Sequence, residues 1–217
     1  MIDFERVLPF WSVLNAAEQE QISRSSREIS YAKGFQMHDR STSQGVMFVV
    51  TGQLRIFIVS EEGREVTLFR VFPDDMCVVA AVGLLDAIAF EVMVDAVEDT
   101  AVIMIPVAAM SPVVKRHAEA EAFLYRTATS HFSDMVWTVQ QILFLSIDRR
   151  IAQFLWEEVS RSGSLTVTMT HDEIARYIGS AREVVTKMLK YFQSEGVLTM
   201  RRGRIQITDK AILQEYL

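Results

Sequence analysis

Between Ile29 and Pro106 the apolar residues come in short bursts: Val46–Val50, Leu54–Val59, Val66–Val71, Glu91–Ala96 and Ala101–Ile105, all rich in Val, Ile and Phe. Turn-forming residues separate them at Gly34, Gly45, Thr51-Gly52, Glu62-Gly63 and Pro73-Asp74-Asp75. β-branched and aromatic side chains suit a pleated, half-buried surface, and Gly, Pro and Asp suit the reversals between strands. Strands this short at this spacing predict a closed or sandwiched all-β domain. Residues Asn15–Ser26 read as a small helix packed on its outside.

From Glu119 to Leu145 the period changes. Tyr125, Ala128, Phe132, Met135, Val139 and Ile142 follow one another at spacings of 3, 4, 3, 4 and 3, with no Gly or Pro between them. That is a heptad seam on a helix of at least about four turns. Packing against its own β domain would account for the pattern. Phe123, Trp137 and Leu143 lie beside the seam, however, so the helix has two faces to bury, one against the body and one against a second copy. After Ser146-Ile147-Asp148 the chain reads as helix (Arg149–Ser160), Gly163 turn, strand (Leu165–Met169), two short helices and a hairpin.

The two short helices occupy Thr170-His-Asp-Glu-Ile-Ala-Arg-Tyr-Ile-Gly179-Ser-Ala-Arg-Glu-Val-Val-Thr-Lys-Met-Leu-Lys-Tyr-Phe192. Thr170 and Glu173 form a capping box, Gly179 stands where a left-handed cap is wanted, and Ser180 with Glu183 reads as a second box. Helices of about 8 and 14 residues joined so tightly make a helix-turn-helix. Ala175 lets them cross closely; Ile174, Ile178, Val184 or Val185, Met188 and Leu189 supply the core. Arg202-Gly203 then turns a basic hairpin, the wing of a winged helix. The second helix would enter the major groove by its N-terminal end, which carries Arg182, Glu183, Thr186 and Lys187. Arg and Lys donate to guanine, and Glu accepts from cytosine or simply caps the helix. Arg201, Arg202 and Arg204 suit phosphates. Thr170 and Ser180, at the two helix starts, complete the expected DNA contacts.

Composition changes this picture in two places. The 217 residues carry a net charge of −6, which argues against a nucleic-acid partner until it is divided. Residues 1–146 hold 11 Lys+Arg against 19 Asp+Glu, a net of −8, whereas residues 147–217 hold 11 against 9. Ile174–Arg204 alone holds 7 basic residues against 2 acidic, a net of +5. Phosphate contacts are local and screened within about 8–10 Å, so an acidic body with a basic patch can bind a polyanion. The single cysteine excludes an internal disulfide and an all-cysteine iron–sulfur cluster. His38, His117, His131 and His171 show no ligand spacing, so no metal site is expected. The charged N-terminus lacks a signal-peptide core, and the longest apolar runs, Met76–Leu85 and Ala101–Val114, fall short of the roughly 18–20 residues of a membrane span. A cytoplasmic protein without a membrane partner is expected. No nucleophile elbow, P-loop, dinucleotide fingerprint or paired-His motif points to an enzyme.

Ser180-Ala-Arg-Glu-Val-Val-Thr-Lys-Met-Leu resembles a recognition helix with an Arg-Glu-x-x-Ser/Gly-Arg pattern, and Asp148-Arg-Arg-Ile-Ala-Gln-Phe-Leu a hinge with its following helix. Gly34, Gly45-Val-Met-Phe-Val-Val-Thr-Gly52 and Gly63-Arg-Glu-Val-Thr-Leu resemble a glycine-turn pattern of the same proteins. These belong to the cyclic-AMP receptor/fumarate-nitrate-reduction regulator (Crp/Fnr) family of bacterial transcription factors, and the similarity covers nearly the whole chain. It implies an α+β protein with a cyclic-nucleotide-binding-like β-roll, a double-stranded jelly roll, over residues 1–118. A dimerisation helix over 119–146 and a winged helix-turn-helix over 147–217 would follow. It also implies a homodimer on a near-palindromic duplex, with RNA polymerase as a further partner. Arg182, Glu183 and Lys187 match the base-reading positions, with Lys187 replacing Arg and losing its bidentate fork. The dimer interface would be Tyr125, Ala128, Phe132, Met135, Val139 and Ile142.

The departures bear on the effector. Val78-Val79 stands where cyclic-nucleotide binders carry Gly-Glu, Phe90-Glu91 where they carry Arg-Ser, and Met135-Val136 where an adenine-binding Thr-Ser pair lies. A phenyl ring and a carboxylate would repel a cyclic phosphate. The effector pocket would consist of Met76, Cys77, Val78, Val79, Phe90, Glu91, Phe132, Met135 and Val136, suited to an apolar or aromatic small molecule, or to none. Cys77 stands near the thiolate ligand of the haem-binding carbon-monoxide sensors, with Val79 in place of the following imidazole. Haem or thiol redox chemistry at Cys77 is the alternative to its being a buried small hydrophobe.

Overall fold

The computed structural model describes residues 2–37, 45–78, Leu84 and 92–217. Its contacts divide the chain into two units, Met1–Ile58 with Leu68–Val136 and Val59–Thr67 with Trp137–Leu217. The chain opens with helix α1 (Phe4–Val7), a 3-10 turn and helix α2 (Ala16–Ser25). α2 begins where its free N–H groups find partners: Asn15 Oδ1 accepts from Glu18 N at 3.0 Å, and Glu18 Oε2 accepts from Asn15 N at 3.1 Å.

Among the described residues eight strands follow: β1 (Arg27–Tyr31), β2 (Gln36–Met37), β3 (Gly45–Thr51), β4 (Leu54–Val59), β5 (Glu65–Val71), β6 (Met76–Cys77), β7 (Met93–Ala96) and β8 (Thr100–Pro106). They form two antiparallel four-stranded sheets, ordered β1-β8-β3-β6 and β2-β7-β4-β5, a pairing that the expected β-roll did not specify. In the first, Met47 of β3 stands opposite Met104 of β8 on one side and Cys77 of β6 on the other. Helix α3 (Val107–Arg116) packs on β3 and β8. Val46, Met47, Phe48 and Val49 are therefore all buried, and β3 reads as a continuous apolar run instead of an alternating one.

The second sheet holds a polar exception. Arg55 of β4 and Asp95 of β7 are cross-strand partners, and Arg55 Nη2 lies 2.6 Å from Asp95 Oδ2 with both residues buried. The guanidinium also sits 4.0 Å from the Phe57 ring centroid. Arg55 fell inside a run expected to be apolar, and its partner 40 residues on gave no local signal.

Helix α4 (Ala118–Phe144) is the expected long helix. In the second unit, α5 (Ile147–Ser162) ends on Gly163 in the left-handed conformation, and β9 (Thr166–Val167), α6 (His171–Ile178) and α7 (Arg182–Ser194) follow. Strands β10 (Leu198–Arg201) and β11 (Arg204–Ile207) form a sheet ordered β10-β11-β9. Helix α8 (Lys210–Glu215), which the hydrophobic pattern did not suggest, starts where Asp209 Oδ1 accepts from Ala211 N and Ile212 N. Ile151, Leu155, Val185, Leu189 and Phe192 are fully buried and tie α5 to α7. Of the two valines that could face this core, Val185 does and Val184 is 42% exposed.

Candidate nucleic-acid interface

The helix-turn-helix is fixed by backbone chemistry at its turn. Thr170 caps α6 with the expected box: its Oγ1 accepts from Glu173 N at 3.1 Å, and Glu173 Oε2 accepts from Thr170 N at 2.7 Å. Gly179 closes α6 at φ 63° and ψ 46°, the left-handed cap read from the sequence. A Cβ there would be strained by that φ, and Ile142 Cδ1, 3.2 Å from it, would have to give by a few tenths of an ångström. Arg150 adds a brace that the sequence reading missed. Its Nη1 donates to the Ile178 carbonyl at 2.8 Å, satisfying one of the free acceptors at the end of α6.

The second capping box does not form. Ala181, not Ser180, is the N-cap of α7, and no side chain caps it. Ser180 N donates to Ala175 O at 2.9 Å, so this residue finishes α6 and α7 starts one residue later. Glu183 is thereby relieved of a capping role and stands exposed in the first turn.

Arg182, Glu183 and Lys187 are all exposed on the N-terminal part of α7, the end expected to enter the major groove. The wing closes at the register pair Arg201↔Arg204, with Gly203 at φ 69° in the two-residue turn. Arg201, Arg202 and Arg204 are exposed, and an open groove runs between them and Thr170, His171 and Arg182. Arg176 contributes less to the basic patch than its charge suggests, because its Nη2 is paired with Asp172 at 2.9 Å. Thr186 is engaged internally: Oγ1 donates to Arg182 O at 2.8 Å and lies 2.9 Å from His171 Nδ1. Burial, reinforced by the charges of Arg182 and Lys190, holds the His171 imidazole below the ordinary histidine range. In the sequence His171 is one of four histidines without ligand spacing, which gives no signal for this placement.

The expected dimer seam divides in two. Ala128 and Met135 pack inward on the core of the β domain, and Ile142 is half-buried beside Gly179. Tyr125, Phe132 and Val139 are exposed, and with them Val136 and Leu143. Of the expected effector residues, Met76, Cys77 and Val78 are tightly packed, Cys77 with no exposed surface. Met135 is half-buried, Phe132 and Val136 are exposed, and Val79, Phe90 and Glu91 lie outside the described residues. His131, in the sequence only one of four histidines without ligand spacing, is buried at this place: its Nε2 lies 2.9 Å from Met76 O and its ring stacks on Phe69. Among the described residues no cluster of His, Cys, Asp and Glu is placed to hold a metal ion, and no helix is long and apolar enough to cross a membrane.

A capped helix-turn-helix with a basic wing, carried behind a jelly-roll domain and a long helix, defines a DNA-binding transcription regulator. Residues 149–216 match the Crp-like helix-turn-helix domain. A crystal structure of a transcriptional regulator of the Crp/Fnr family from Eubacterium rectale is 38% identical and superimposes with a TM-score of 0.90, covering 96% of this chain and 97% of that one. The transcriptional activator protein FnrA of Stutzerimonas stutzeri is 29% identical over 181 residues, 77% of this chain and 70% of its own length. The cyclic AMP receptor protein of Thermus thermophilus is 23% identical over 172 residues, 79% of each chain. The chain belongs to the Crp/Fnr family and is a transcription regulator, not an enzyme.

Proposed function

We propose that this regulator works in the cytoplasm as a homodimer that reads a near-palindromic duplex with two α7 helices. The observation that carries the reading is the exposed stripe Tyr125, Phe132, Val136, Val139 and Leu143 on α4, with Phe132 61% and Leu143 67% accessible. Successive spacings of 7, 4, 3 and 4 put these residues on one heptad seam. On this reading two copies pair through that stripe, because Ala128 and Met135 of the expected seam face the chain's own β domain. Base contacts fall to Arg182, Glu183 and Lys187, and phosphate contacts to Arg201, Arg202 and Arg204, with Thr170 and Ser180 beside them.

A small effector of the β domain, other than cyclic AMP, would act through α4. The His131–Met76 hydrogen bond ties that helix to β6, so a ligand displacing β6 would bias the helix pairing and hence the spacing of the two DNA-binding domains. Engagement of RNA polymerase by the DNA-bound dimer completes the reading. Selection of bound duplexes from a random pool, with and without metabolites of a cell extract, tests it. Inverted half-sites with centres about 10 base pairs, one helical turn, apart are expected. A consensus with a single half-site would overturn the dimeric reading.

A further inference from the structure

We propose that His171 is a phosphate-binding residue of the DNA interface, donating from Nε2 as an imidazolium while its Nδ1–H holds Thr186. This rests on the DNA-binding reading and adds to it a contact whose strength follows pH. Thr186 Oγ1 has one proton and two close partners, Arg182 O at 2.8 Å and His171 Nδ1 at 2.9 Å. A carbonyl oxygen only accepts, so the hydroxyl proton goes to Arg182 O and Nδ1 must carry the proton that reaches Oγ1. The tautomer is thereby fixed. In the neutral ring Nε2 bears a lone pair and becomes a donor only on taking up a second proton.

Phosphate oxygens also only accept. Thr186 has no proton left to offer them, and neutral His171 has none at Nε2. The imidazolium does, and it lies in the groove that Arg182, Arg201, Arg202 and Arg204 also line. The charged groups around it are Arg182 and Lys190 from α7, the three wing arginines, and Asp172 and Glu173 on its own helix. Asp172 is paired with Arg176, and Glu173 is committed to the capping box. In the free protein burial and the facing cations keep the ring neutral. A phosphate entering this groove supplies the missing negative charge and favours the protonated form. DNA binding should then take up a proton, and affinity should rise as pH falls through the DNA-bound pKa.

Fluorescence anisotropy of a labelled duplex of mixed sequence, at fixed ionic strength between about pH 5.5 and 8.5, reads the linkage directly. Wild type should bind roughly three- to tenfold more weakly at the alkaline end, the span that half to one unit of pKa shift produces. His171→Asn keeps an amide donor near Thr186 but cannot titrate, and should lose that slope. His171→Arg should bind at alkaline pH with the strength wild type shows at acid pH. Nitrogen-15 shifts of the imidazole supply a readout that a merely structural role would leave unmoved. They should show the Nδ1-protonated tautomer in the free protein and a pKa raised by the duplex. An unchanged slope in His171→Asn, or a His171 pKa that the duplex does not move, overturns the proposal while leaving DNA binding intact. Failure of wild type to bind the duplex at any pH would remove the DNA reading and this one with it.

Discussion

His131 Nε2 donates to the carbonyl oxygen of Met76 at 2.9 Å, and its ring lies against Phe69 with centroids 4.4 Å apart. A neutral imidazole serves this place, because burial, outweighing the Met76 hydrogen bond and the pull of Asp134 and Asp75, depresses its pKa. The bond connects the middle of α4 to β6, the strand that carries Cys77.

The sign of the pH dependence follows. A histidine whose folded pKa lies below its unfolded value binds its proton more readily in the unfolded chain. Its contribution is full above the unfolded value near 6.5 and is lost as pH falls through the folded pKa. Thermal unfolding of wild type should therefore move to lower temperature on acidification below about pH 6.5. His131→Leu should flatten that dependence. It should also cost about 1–3 kcal/mol at neutral pH by leaving the Met76 carbonyl without its donor.

Asp95→Ala should destabilise the β domain by about 3–5 kcal/mol, because it strands the Arg55 guanidinium in the core. The pair is side by side across β4 and β7 with side chains only 3% and 8% exposed. Replacing both residues together, Arg55→Met with Asp95→Leu, should restore much of the loss. Urea denaturation of the two variants separates the stranded charge from the net worth of the pair. Equal losses in both would mean that packing, not charge, is decisive there.

Arg182→Ala and Arg202→Ala should fail differently. Arg182 stands in the first turn of the recognition helix and Arg202 at the wing tip. Removing Arg182 should cost roughly 1–3 kcal/mol and relax preference at one base position. Removing Arg202 should weaken all duplexes about equally and lower the salt-dependence slope by about 1. Titrations against a selected site and its single-base variants, at several salt concentrations, distinguish these outcomes.

Leu143→Glu should separate the proposed dimer without unfolding the protomer, since the residue is 67% exposed in the single chain. Sedimentation should show a shift to the monomer with the circular dichroism of α4 retained. Met135→Glu is the contrasting change. Met135 packs on the β-domain core, so that variant should lower stability before it alters association. A fully dimeric Leu143→Glu protein would place the pairing surface elsewhere.

Local rules made much of this protein legible. The strand bursts, the long helix, the Thr170–Glu173 box and the Gly179 cap each depend on residues a few positions apart, and among the described residues each formed within a residue or two of where the pattern put it. The charge map, an acidic body with a basic stretch from Ile174 to Arg204, also needs no coordinates. The sequence failed where one residue had two suitors. Ser180 fits a capping box by spacing, but its N–H closes α6 and the box is lost. Spacing along α4 does not say which of two adjacent apolar stripes meets the β sheets, and tertiary packing assigned Ala128 and Met135 inward and Phe132 and Leu143 outward. Partners far apart in the chain were beyond any window: Arg55 with Asp95, His131 with Met76, Arg150 with Ile178, His171 with Thr186. The sequence determined most of the elements, though not α8, because their caps and periods are short-range. Only the tertiary structure decided which polar groups neutralise one another and which remain free for DNA, because a hydrogen bond is settled by proximity in space.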